Sequence, residues 1–180
     1  MPTLIWSDQM ALGVAHMDQT HREFVALLAR AEDAPDNQLL KTWEEVVEHT
    51  RGHFGAEDRA MLATRFAASN CHTTHHKMVL EVMEHGLALG GQGDLAPIRQ
   101  MTRELATWFV HHADTMDAAL AGHLLKVGYQ PDTGAIAHPH ALPAEVLHGC
   151  GSASCGPDDG SRRETDEAQA VPEAAHQAAV

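Results

Sequence analysis

Four stretches of this chain carry metal-capable side chains at helical spacing on otherwise apolar stripes, and that pattern restricts the fold more than any other feature. The clearest stripe runs Leu39, Trp43, Val46, Thr50, His53, Glu57 and Met61, in alternating steps of four and three. A step of four puts two side chains on one helix face, about 6 Å apart along the axis. His53 and Glu57 therefore share a face with Trp43 and Met61. Another stripe runs His72, His76, Val79 or Leu80, Met83 and Leu87, and stops at Gly90-Gly91. The last opens with Pro97 in its first turn and continues Ile98, Met101, Leu105, Trp108, His112 and Ala119 until Gly128. The first has Asp18 as its expected N-cap, followed by His21, Phe24, Val25 and Leu28, and fades by Pro35. Four amphipathic helices of similar length with short connections predict an all-α fold, an antiparallel up-down-up-down four-helix bundle over residues 1–130.

Seven polar groups then point inward: His21, His53, Glu57, His72, His76, His112 and Asp117. Burying one such group unpaired costs several kcal/mol, and a bare carboxylate costs more. A single interior histidine reads as an ordinary hydrogen-bonded core residue. Seven groups, distributed over all four helices, call for a common partner, and a metal centre supplies one. Five imidazoles and two carboxylates exceed what one tetrahedral zinc ion takes, and suit two adjacent ions bridged by the carboxylates. The mixed shell favours iron over a thiolate-preferring metal, while ligand type alone leaves manganese and zinc open. His112 and Asp117 do not fit a regular helix, because five residues turn the chain by about 140°. Either Asp117 reaches in from the flank, or the helix is overwound or bulged there.

The remaining histidines, from a total of 15, have plainer readings. His75 and His111 lie one residue off their stripes and are expected to point away. His16, His49, His85 and His123 read as surface or supporting residues.

Composition excludes several partners. The formal net charge is −13, which repels nucleic acid and anionic membranes. No apolar run approaches the roughly 18 residues of a spanning helix. The start, Met-Pro-Thr-Leu-Ile-Trp-Ser-Asp, lacks the basic and apolar regions of a signal peptide, so a cytoplasmic location is expected. Cys71, Cys150 and Cys155 fit a reducing compartment. From Pro131 to Val180 no aromatic residue occurs, and Gly, Pro, Ser, Ala and acidic residues dominate. Residues 131–180 are therefore expected to form a disordered acidic tail, through which a protein partner could bind. Its His138, His140, His148, His176, Cys150 and Cys155 offer at most a loose metal-capturing segment.

Taken in order, His21, His53-x-x-x-Glu57 within His-Phe-Gly-Ala-Glu, His72-x-x-x-His76 and His112-x-x-x-x-Asp117 resemble the ligand pattern of hemerythrins. Trp6, the run Gly-Val-Ala-His-Met-Asp-Gln-Thr-His ending at His21, and Trp108 are similar to the bacterial branch. The resemblance spans about residues 4–125. It implies a non-haem, oxo- or hydroxo-bridged pair of iron ions per chain. His72, His76 and His112 would bind one iron, His21 and His53 the other, with Glu57 and Asp117 bridging. The second iron would keep an open position, where O2 binds reversibly for storage, delivery or sensing. Phe24, Leu28, Leu105 and Trp108 are the expected walls of the O2 pocket, though each also serves as ordinary core. The imidazole-rich shell favours a carrier over an enzyme. The alternatives are a di-iron enzyme acting on peroxide or nitric oxide, and an iron-storage protein fed by the tail.

Overall fold

The computed structural model describes residues 2–66 and 71–145. Among the described residues five α-helices follow in order: α1 (Ala15–Asp33), α2 (Asp36–Ala63), α3 (Cys71–Gly91), α4 (Ala96–His112) and α5 (Ala118–Val127). A π-helical segment, Ala113–Asp117, joins α4 to α5, so these two form the fourth rod of the bundle. Helix α1 packs on α2, α2 on α3, α3 on α4, and α4 back on α1. The connections Ala34-Pro35 and Gln92–Leu95 are too short for anything but antiparallel neighbours.

Local chemistry accounts for the helix ends. Pro35 forces the break between α1 and α2, and its fixed φ suits the N-cap position of α2. Gly128 closes α5 in the left-handed region (φ +65), with the Tyr129 amide reaching back to the Leu124 carbonyl. The start of α1 differs from expectation. The helix begins at Ala15 with Val14 as N-cap, and Asp18 lies inside its first turn. The Asp18 carboxylate instead accepts the Leu12 and Gly13 amides at 2.7 and 3.1 Å. It ties down the incoming chain, and the helix starts four residues earlier than an N-cap at Asp18 allows (Val14 against Asp18).

Two apolar clusters form the core, one toward each end of the bundle. The larger contains Phe24, Leu28, Leu39, Trp43, Val46, Met83, Ile98 and Phe109. The smaller contains Met17, Ala60, Met61, Phe66, Leu120 and Leu124. Along every rod the metal-capable residues fall between or beside these clusters: His21 lies between Met17 and Phe24, and His53 and Glu57 between Val47 and Ala60. The polar layer is thus flanked along the bundle on both sides by apolar side chains.

The region expected to be a tail begins as ordered backbone. Residues 128–138 turn back on α5 through hydrogen bonds from Ala137 to Gly128 and from His138 to Val127, with an antiparallel bridge between Tyr129 and Ile136. Backbone pairing needs no apolar side chains, which is why composition concealed it. Residues 146–180 lie outside the described residues, and with them fall His148, Cys150, Cys155, His176 and the partner-binding role considered for the tail. His138 and His140 have ring centroids 6.0 Å apart. Among the described residues no helix is long and apolar enough to cross a membrane.

Candidate metal centre

The seven inward groups converge. Glu57, His72, His76, His112 and Asp117 each offer a ligand atom within 4.8 Å of the others, and so do His21, His53, Glu57 and Asp117. All seven are buried, with His21, His72 and Asp117 at 0% exposure. The two sets share Glu57 and Asp117, and the shared carboxylates divide their oxygens between them. Glu57 Oε1 lies 3.6 Å from His53 Nε2, while its Oε2 lies 3.4 Å from His72 Nε2 and 3.3 Å from His76 Nε2. Asp117 Oδ2 lies 3.3 Å from His21 Nε2, and Oδ1 lies 3.0 and 3.2 Å from the Nε2 atoms of His72 and His112.

Helix spacing delivers most of this, and the π segment delivers the rest. Within Ala113–Asp117 the hydrogen bonds run five residues back, as from the Ala118 amide to the Ala113 carbonyl. One extra residue in the turn cancels the excess rotation, so His112 and Asp117 meet on the inner face. The bulge, of the two routes considered, is the one the chain takes.

The buried atoms themselves test whether a cation fits. His21 Nε2, both oxygens of Glu57, His72 Nε2 and both oxygens of Asp117 have no hydrogen-bond partner. Their neighbours stand near but not in donor–acceptor geometry. His76 Nε2 and His112 Nε2 face each other at 3.2 Å, and two bare lone pairs cannot: a proton on one of the rings, or a cation, must lie between them. Unpartnered acceptors at this density are stabilised only by positive charge. The electrostatics agree. Burial raises Glu57 and Asp117, as does their mutual repulsion at Glu57, but the surrounding imidazoles outweigh this and lower both carboxyls. Burial opposes charge at His72, yet the Asp117 and Glu57 carboxylates beside its Nε2 raise it to about 9. His53 shows the opposite balance: burial dominates and lowers it to about 4 despite Glu57 and Asp117. Protons on the imidazoles substitute for the cations that two ionised carboxylates demand. The residues fit a pair of metal ions.

Aromatic side chains surround the layer, and sequence periodicity singled out only some of them. Phe24 is buried against Phe109 at 5.0 Å, and Phe109 meets the His21 ring edge-on at 5.1 Å. Trp108 stacks on His112 at 4.4 Å, on the three-imidazole side. Leu28 lies in the larger core cluster, while Leu105 and Trp108 line an apolar surface groove between α3 and α4 with Val79, Met83 and Met101. Phe54 was missed, although its ring lies parallel to that of His76 at 3.9 Å and 5°. Asp58 was missed as well; its Oδ1 is 3.1 Å from His76 Nδ1. The other histidines stay outside. His49 and His123 donate to the Thr20 and Thr64 carbonyls, His111 is exposed, and His75 is half-buried on the groove.

A cavity of about 260 Å3 reaches His53 and Glu57 from the surface. Met17, Ala60, Leu124 and Tyr129 supply its apolar wall, and His16, Thr20, Arg59 and Asp132 its polar mouth.

The pattern of a buried, imidazole-rich cation site in a helical bundle has known counterparts. Residues 12–124 match the Hemerythrin HHE cation binding domain. The chain is 32% identical over 128 residues to the bacteriohemerythrin of Ralstonia nicotianae, covering 71% of this chain and 93% of that protein. It is 25% identical over 126 residues to the bacteriohemerythrin of Stenotrophomonas maltophilia (67% and 81% covered). Identity to the Pseudomonas aeruginosa bacteriohemerythrin is 24% over 123 residues (66% and 79% covered). No solved structure gives a significant match. Domain match and relatives agree with the geometry: the chain belongs to the hemerythrin family, as a bacteriohemerythrin with a buried cation site.

Proposed function

We propose that this chain binds O2 reversibly at two non-haem irons per chain, held by His21, His53, Glu57, His72, His76, His112 and Asp117. The observation that carries this reading is the division of each carboxylate's oxygens between a three-imidazole and a two-imidazole group. When bound, the irons supply the one-electron change at each metal that O2 uptake and release require. Everything else is the work of this chain's side chains.

His72, His76 and His112 offer one imidazole more than His21 and His53. The two-imidazole group is therefore the one with room for a further ligand, and it is also the one the cavity reaches, at His53. Phe24 and Phe109 wall His21 with carbon and exclude water there, while Trp108 shields His112. Glu57 and Asp117, held ionised, have no proton to give an oxygen ligand. Carboxylates with no proton to give favour release of O2 intact over cleavage of its O–O bond.

The polar mouth of the cavity favours a second reading, in which the same centre reacts with peroxide or nitric oxide. Iron storage has less support, since metal-capable groups of three or more converge only in these two sets among the described residues. One experiment separates the readings. Iron-loaded, reduced protein exposed to O2 is expected to develop a stable visible charge-transfer band that deoxygenation removes. No band, or a band that only bleaches irreversibly, overturns the carrier reading. For the ligand set, His76→Ala is expected to lose at least one iron by metal analysis. Two irons retained in that variant would refute the assignment.

A further inference from the structure

The His76 ring differs from three of the other buried imidazoles. Nδ1 of His21, His72 and His112 has no hydrogen-bond partner. Nδ1 of His76 meets Asp58 Oδ1 at 3.1 Å, and the face of the same ring is covered by Phe54 at 3.9 Å. Phe54 and Asp58 are one turn apart on α2, so a single flank of that helix holds one ring of α3 by face and by edge. Consecutive carboxylates thereby divide in role. Glu57 points into the layer at His76 Nε2, and Asp58 stands outside at Nδ1.

We infer that Asp58 is a positioning residue for the three-imidazole group: by accepting the Nδ1 proton of His76 it fixes the tautomer whose Nε2 lone pair faces the centre. A carboxylate behind an imidazole orients the ring and strengthens its donation to a cation, and losing such a partner typically weakens metal binding about 10–100-fold. Phe54 prevents the ring from turning, so the Nε2 direction is set before any ion arrives. The pair is also a half-exposed contact between helices, with Asp58 46% exposed. As a salt bridge alone it would contribute little to stability. The two roles differ in what they move. The inference rests on the proposed di-metal reading, and the test separates the two.

Cobalt(II) is titrated into metal-free protein and followed by its visible absorption, alongside urea unfolding of the same metal-free samples. Asp58→Ala is expected to bind one of two cobalt ions about 10–100-fold more weakly, with an altered spectrum and an unchanged unfolding midpoint. Asp58→Asn, which still accepts from Nδ1 but lacks charge, is expected to fall between Asp58→Ala and the parent. Parental affinity and spectrum in Asp58→Ala overturn the inference. So does a weakening matched by lost stability of the metal-free protein, with Asp58→Asn no better than Asp58→Ala. His76→Ala is the control. If it keeps both cobalt ions, the di-metal reading itself fails; if it loses one while Asp58→Ala loses none, only the positioning role fails.

Discussion

Trp43 illustrates how much one buried side chain holds. It is fully buried on α2, and its indole Nε1 donates to the Met83 carbonyl of α3 at 3.1 Å. Trp43→Phe removes that donor and leaves a small void, for an expected cost of about 1–3 kcal/mol in urea unfolding of the metal-free protein. A loss below about 0.5 kcal/mol, the usual range of surface changes, would show the bond to be incidental. At this scale the seven inward groups were legible, because burial of polar atoms on an apolar stripe is costly enough to leave a mark in one sequence. Phe54, Asp58 and Phe109 left none. Each is one residue from a stripe member (His53, Glu57 and Trp108), where periodicity assigns a flank and not a neighbour. The one signal available was the four-residue step from Phe54 to Asp58, which has meaning only once α3 is known to lie against that flank.

Among the elements, the fourth rod departs furthest from regularity. Its π turn holds one residue more than an α-helix would, and Asp114 within it is exposed. Deleting Asp114 would let α4 and α5 run on as one α-helix. Asp117 would then follow His112 at a step of four, still on the inner face, and Leu120 and Leu124 would keep their burial. The expected result is a metal-free variant with undiminished helicity by circular dichroism and a melting temperature no lower than the parent's. A clear fall in either would show that the bulge supports the bundle as well as placing Asp117. The four rods and their order were legible from period and breakers, as at Pro35, Gly90-Gly91 and Gly128. The α1 start was not, because Asp18 bonds backward to the Leu12 and Gly13 amides and so mimics a cap in sequence. The return of residues 128–138 along α5 is backbone pairing, which composition does not record.

For the whole molecule, two apolar clusters enclose a charged layer that is unfavourable without cations. Binding ions to the folded state alone stabilises it by mass action. At a free metal concentration of a hundred times Kd, the gain is about 2.7 kcal/mol per site, or roughly 5–10 °C in melting temperature for a chain of this size. Removing metal from the loaded protein should therefore lower its melting temperature by at least that much, with full recovery on adding iron(II) under anaerobic conditions. A melting temperature indifferent to metal would mean that the layer is satisfied by protons alone. By itself the sequence determined the four rods, their apolar faces and the identity of the seven inward groups, since spacing and burial cost act within one helix and need no knowledge of the others. Tertiary structure alone decided how the seven combine: which oxygen of Glu57 and of Asp117 faces which imidazoles, how a π turn brings Asp117 round to His112, and that Asp58 stands behind His76. Those relations lie across helix seams, where the rotation and offset of neighbouring rods, set by packing, decide which atoms meet.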